Sequence, residues 1–445
     1  MRQLVYFHID EVARDAVVAA NLRQILKNHG VELVYGNRAD TRLFGLFDNF
    51  SAFDLYVFPS LDLFQANCPD PNRVPAPIIL LPTETVGGTS RNIHRVAAKY
   101  FGSFTDESWP WINVIAAFCV WGPSHLKAFQ TKGPHLLPKC HVVGHPRFDK
   151  RCQLQRSPTD RSGKICVGII SRGVATNPFD GRTLLQVVYE GRKIPGHEHP
   201  IYHLSPDRDV EDRIYTEIVD LRLIYELIER LDPKQYEVIV RAHPRENRKS
   251  WESLISHNKF PIKMAPWDEP YMHWLKSMDY IVGPVSTSLY DCMVAWKKPI
   301  CTVDIVPHRQ SHVLAGGDDE NPILNFVLRP KSIQELMQMV SVKPQSGSLE
   351  LPSGLLDVLH QESNYPDCVS SLDRLAGVCL DVLRATPRAH RSRFHARLKH
   401  KVFAAGQAIA TQIRNHNKPE QSATFVLNNQ RKRWIDGLAF SGRSR

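Results

Sequence analysis

The chain has 445 residues, 42% of them hydrophobic, with a formal net charge of +10. That is enough chain for two or three domains with ordinary globular cores. The positive balance favours an acidic partner, whether nucleotide, anionic lipid headgroup or nucleic acid. The nine cysteines are an odd count, scattered without a CxxC pair or a disulfide framework, which points to a reducing compartment. The longest apolar stretch, around Trp111 to Trp121, is too short to span a bilayer. Met1 to His8 runs into a strand without a signal-peptide pattern, so the chain reads as cytoplasmic.

Residues 4–9 (LVYFHI) predict a first strand. A helix follows, with Val18, Leu22 and Ile25 on one face and Gly30 as its stop. VELVYG, DLYVFPS (54–60), PIILLP (77–82), FCVWG (118–122) and HVVG (141–144) continue the strands. Alternating strands and helices predict a doubly wound, mostly parallel sheet over residues 1–150.

The second half repeats the pattern over residues 155–345. KICVGIIS (164–171) is its first strand, and residues 172–210 read as a long functional loop. Ile214, Ile218, Leu221, Tyr225 and Ile228 make one apolar helix face across 211–231. Then come strand EVIV (237–240), IKMAP, a helix over 271–278 and strand YIVGP (280–284). A helix over 289–296, strand PICTVD (299–304) and a helix capped by Ser332 complete it. Residues 341–354 read as a linker. Residues 355–445 read as a helical, basic extension, helical over 368–384 and rich in Arg, Lys and His from 386.

Three constellations can carry chemistry. The strand EVIV runs into Arg241, His243, Pro244, Arg245 and Glu246. Proline ends the strand, leaving cationic groups at the carboxyl edge of a parallel sheet, where a phosphate can dock. Glu246 could bind a ribose hydroxyl or orient the histidine; a strand-end histidine also serves purely structurally. The second constellation is Ser286, Thr287 and Ser288, at the start of a helix. Hydroxyls and first-turn N–H groups make an anion site there, and plain N-capping is the alternative use. The third is Glu84 in PTETVGG, a loop carboxylate placed to act as general base or simply solvated. Glu11, Arg14 and Asp15 follow the first strand, and GHPRFD (144–149) reads as a structured hinge. No HExxH, CxxC pair or Walker loop is present, so neither metal nor cofactor is indicated.

WGP (121–123), GHPRFDK (144–150), RAHPRE (241–246) and STS (286–288) with Asp291 occur in this order. In this the chain resembles bacterial surface carbohydrate biosynthesis proteins, over about residues 5–345. More distantly it resembles capsule-type sialyl- and Kdo-transferases and teichoic acid glycerophosphotransferases. The resemblance implies a GT-B fold: two Rossmann-like α/β domains facing a central cleft, the first binding acceptor and the second nucleotide. It implies a nucleotide site at His243, Pro244, Ser286, Thr287 and Ser288, with Glu84 as base; the residues themselves add Arg241, Arg245 and Glu246 to the phosphate and nucleotide contacts. The implied activity is metal-independent transfer of Kdo or another acidic nonulosonate. The donor would be CMP-activated, and the acceptor a surface polysaccharide, lipopolysaccharide or lipid-linked glycan. The alternatives are a CDP-glycerol or CDP-ribitol phosphotransferase, and a non-catalytic glycan-assembly subunit of the same fold. The basic tail lacks interleaved aromatics, so it suggests contact with an anionic membrane rather than nucleic acid.

Overall fold

The structure is a computed structural model. It describes residues 3–9, 12–36, 53–66, 68–74, 76–83, 101–102, 106–153, 163–179, 181–187, 209–258, 261–266, 269–295, 297, 299–305, 322–342, 352–366 and 369–386. The chain divides into two compact units, Met1–Gln153 with Leu359–Arg445, and Leu154–Val358.

The first unit is built on a six-stranded sheet: β1 (Gln3–His8), β2 (Val31–Gly36), β3 (Leu55–Phe58), β4 (Ile78–Leu80), β5 (Ile115–Val120) and β6 (Cys140–Val142). All its pairings are parallel, in the order β2-β1-β3-β4-β5-β6. A parallel sheet is covered on both faces, so its strands are apolar throughout and successive side chains go to opposite layers. Tyr6, Tyr56, Phe58, Ile78, Leu80 and Phe118 enter one layer, with Phe64 of helix α2 (Leu61–Gln65) and Phe129 of α3 (Pro123–Lys132). Val5, Phe7, Leu55, Val57, Ile79 and Cys119 enter the other, beside Val18, Leu22 and Leu26 of α1 (Val12–Asn28).

The second unit carries β7 (Ile165–Ile170), β8 (Tyr236–Arg241), β9 (Ile262–Met264), β10 (Tyr280–Gly283) and β11 (Ile300–Cys301). Again all pairings are parallel, in the order β9-β8-β7-β10-β11. Leu223, Ile224, Leu227 and Ile228 of α4 (Asp209–Arg230) cover Val167, Ile169, Val238 and Val240. On β7, a Cβ on Gly168 would come 2.6 Å from Met278 and 3.0 Å from Trp274. Only glycine lets α6 (Tyr271–Ser277) lie so close to this central strand.

The predicted strand PICTVD is strand for Ile300–Cys301 alone, and Thr302–Asp304 coils into a 3-10 turn. The short helix α2, α5 (Arg248–Asn258) and α9 (Ser353–Ser363) are absent from the sequence reading. In α5 only Trp251, Leu254 and Ile255 form an apolar stripe, too short to stand out. Helix α9 begins inside the expected linker. Among the described residues the remaining α-helices are α7 (Ser288–Val294), α8 (Ile333–Ser341) and α10 (Ser371–Ala385). Over its described part, the region set apart as residues 355–445 does not stand alone. Leu372, Leu375, Cys379 and Leu383 of α10 pack into the α1 layer of the first sheet. No helix among the described residues is long and apolar enough to cross a membrane.

Candidate functional site

Numbered within its own unit, the second sheet has the strand order 3-2-1-4-5, so the winding reverses between β7 and β10. In open α/β sheets, ligands bind beyond the carboxyl ends of the strands at that reversal. The residues leaving β7 there are Ser171, Arg172 and Gly173, and those leaving β10 are Pro284 to Ser288. Arg172 spans the two exits: its Nη1 donates to the Val285 carbonyl at 3.2 Å. Sequence reading missed Arg172. Its only signal was position, the first charged residue after a buried strand, in a stretch read as one long functional loop.

On the other side of β7, Ile170 is in register with Arg241, so the His-Pro loop leaves from the same edge. The Arg241 guanidinium donates to the Glu269 carbonyl at 2.9 Å. It lies 5.1 Å from the Tyr271 ring centre and 5.6 Å from that of Trp274. This cation is held in place by aromatic faces, an arrangement that suits a planar guanidinium. His243 Nδ1 accepts from the Arg245 N–H at 3.1 Å. In neutral His243 the proton is therefore on Nε2, making that nitrogen the donor. Pro244 forms the turn between them, and the Arg245 carbonyl accepts from Phe179 N–H at 2.9 Å.

Glu246 differs from a ribose ligand. It is 3% exposed. Its carboxylate accepts from the Ser171 hydroxyl (2.9 Å), Gly173 N–H (2.7 Å), His243 N–H (3.2 Å) and Trp251 Nε1–H (2.9 Å). Burial raises its pKa, and these donors offset only part of that rise. Glu246 thus fixes the backbone of the His243 loop and ties it to the exit of β7. Its acceptor capacity is used from within the protein. Glu217, 2% exposed on α4, does the same for the next turn, accepting from Ala175 and Thr176 N–H at 2.7 and 2.9 Å.

The hydroxyl run is not spent on capping. Thr287 occupies the cap of α7 with helical backbone angles and makes no side-chain cap bond. The buried Ser286 Oγ has no hydrogen-bond partner. Helix α7 has only 7 residues, so hydroxyls and arginines, more than a dipole, would hold an anion here. Tyr271 lies under the Arg241 guanidinium, its buried hydroxyl has no hydrogen-bond partner, and burial pushes that hydroxyl's pKa well up. Arg241, His243, Pro244, Arg245 and Ser286–Ser288 are therefore brought to one sheet edge, with Arg172 between.

Glu84 lies outside the described residues, as does Glu11. The loop before Glu84 is held from inside: Pro82 and Thr83 carbonyls accept from Trp121 Nε1 at 2.8 Å and Arg147 Nη2 at 3.3 Å. GHPRFD repeats the His-Pro-Arg turn of residues 243–245, since His145 Nδ1 accepts from the Arg147 N–H at 3.2 Å. Here the turn faces inward. His145 is 2% exposed and stacks on Trp121 at 3.5 Å. Burial first, then Arg147, Arg14 and His125, push its pKa well below the usual range. Asp149 accepts from the Ser370 hydroxyl and from Leu372 N–H at 3.1 Å. The element read as a hinge is the seat of α10. Arg14 and Asp15 lie on α1, with Asp15 buried. Among the described residues, no group of three His, Cys, Asp or Glu side chains is placed to hold a metal.

No protein-family model and no curated protein matches the chain. Among solved structures, it is similar to Staphylococcus aureus MnaA bound to UDP, with 10% identity and a TM-score of 0.49 over 87% of this chain and 99% of that one. It is also similar to the UDP-GlcNAc 2-epimerase of Methanocaldococcus jannaschii, with 10% identity and a TM-score of 0.47 over 86% and 100%. A variant of the wall teichoic acid polymerase TagF gives 10% identity and a TM-score of 0.46 over 91% and 90%.

Proposed function

We propose that the chain is a GT-B-type glycosyltransferase. It moves an acidic sugar, Kdo or another nonulosonate, from a CMP donor to a bacterial surface glycan. The observation that carries this reading is the single edge at the β7/β10 reversal, where Arg172, Arg241, His243 and the Ser286–Ser288 hydroxyls gather. Such an edge suits a phosphate that gains negative charge as its bond to the sugar breaks. The His243 Nε2–H donates to the departing phosphate oxygen, the arginines oppose its charge and the hydroxyls fix its position. Acceptor activation falls to Glu84, which takes the proton of the attacking hydroxyl as the new glycosidic bond forms and CMP leaves.

Incubation with CMP-, CDP- and UDP-activated donors, with product analysis, tests the reading. CMP release with a sugar transferred supports it; transfer of a phospho-alcohol assigns the chain to the phosphotransferases instead. His243→Ala should lower turnover by about two orders of magnitude, as loss of one charge-stabilising donor does elsewhere. Normal turnover by that variant removes His243 from the mechanism.

A further inference from the structure

Behind the proposed phosphate edge stands Asp220 of α4, 7% exposed. Its Oδ2 has no partner, and its Oδ1 lies 3.4 Å from Thr302 Oγ1. That same Thr302 hydroxyl lies 3.3 Å from the Gly283 carbonyl, at the exit of β10. A hydroxyl has one proton to give, and the carbonyl can only accept. An ionised Asp220 would have to share the one Thr302 proton with the Gly283 carbonyl over two long contacts; a protonated Asp220 gives each contact its own proton, donating to Thr302 while Thr302 donates to Gly283. A neutral acid also tolerates the unpartnered Oδ2 far better than a carboxylate would.

We propose that Asp220 is a positioning residue held as the neutral acid, so that the full charge of Arg172 is left to the donor phosphate. This rests on the transferase reading of the edge. The groups acting on Asp220 come from three elements: Arg172 after β7, Glu217 one turn back on α4, and Thr302 after β11; Cys301 of β11 also lies within its field. Burial outweighs the favourable pull of Arg172 and Thr302, and the carboxyl is pushed up to about 7. Losing the proton places a negative charge against the cation that bridges the β7 and β10 exits. Donor binding then weakens, and by linkage a bound phosphate raises the affinity of Asp220 for its proton by the same factor.

Asp220→Asn keeps the shape of the neutral acid and cannot ionise. CDP-glycerol and CMP-N-acetylneuraminate are suitable probes, because their phosphodiesters keep their charge across the neutral range. Dissociation constants of wild type and variant are measured by calorimetry from about pH 6 to about pH 8.5. Their ratio should be near one at the acid end and favour the variant by roughly fivefold or more at the alkaline end. Groups common to both proteins cancel from the ratio. A flat ratio overturns the proposal while leaving the transferase reading intact. Binding of neither probe at any pH overturns both. Asp220→Leu, which also removes the charge, gives the same comparison if the asparagine variant does not fold.

Discussion

Replacing Glu246 by alanine is the most direct perturbation of the site's scaffold. Four donors converge on this carboxylate from the exit of β7, the His-Pro loop and α5: the Ser171 hydroxyl and the N–H groups of Gly173, His243 and Trp251. The serine hydroxyl can rotate to another acceptor, but the three N–H groups cannot. Each stranded buried donor costs about 1–3 kcal/mol. Water entering the vacated space recovers part of that, so Glu246→Ala should destabilise the second unit by roughly 3–5 kcal/mol. Glutamine keeps one oxygen for Gly173 and His243 but turns its amide N–H toward the Trp251 N–H. It should cost about 1–3 kcal/mol, the price of one unmet donor. Hydrogen exchange by mass spectrometry over residues 171–176 and 241–247 reads the effect locally, and denaturant unfolding reads it globally. Wild-type protection of both peptides in the alanine variant, with stability within about 0.5 kcal/mol, would refute the assignment.

Arg172→Ala should weaken donor binding about tenfold to a hundredfold, the worth of a charge-assisted hydrogen bond, with little change in melting temperature; calorimetry with CDP-glycerol checks this. Gly122→Ala should destabilise the first unit by several kcal/mol, because a Cβ there would sit 2.1 Å from the Gln361 carbonyl oxygen. Thermal unfolding measures that loss, and a variant as stable as wild type would contradict the packing of α9. Asp220 also has a stability signature. Its carboxyl is pushed up to about 7, above the unfolded value of roughly 3.9. The stability it lends is thus complete below that unfolded value and lost as pH rises through about 7. Asp220→Asn should gain on wild type by roughly 2–3 kcal/mol between about pH 5 and pH 8.5, read from urea unfolding at each pH.

The strands were legible because each buried parallel strand is a short apolar run closed by Pro, Gly or charge. PIILLP and EVIVRAHP are examples; the structure shortens the first to Ile78–Leu80 and lengthens the expected 237–240 strand to Tyr236–Arg241. The His243 and Ser286 loops could be found for the same reason: polar groups that follow a buried strand emerge at its carboxyl edge. Arg172 could not be singled out, because its importance comes from β7 lying between β8 and β10, and strand order is not written in any local pattern. Glu246 looked like a ligand because the sequence shows its neighbours along the chain but not Ser171 and Gly173, which fill its oxygens. His145 and His243 share the same tripeptide turn, yet one is packed under Trp121 and the other stands at a sheet edge. Only tertiary contacts separate them.

The placement of α10 separates the order of synthesis from the order of folding. A ribosome releases all six strands of the first sheet, then the entire second unit, before it makes Leu372, Leu375, Cys379 and Leu383, which belong against Val5, Leu33, Val57 and Ile79. Throughout that interval one side of the nascent sheet lacks part of its lid. The greasy strip must be shielded by a chaperone or by loose collapse, and strands made before the second unit reach their finished form only after it.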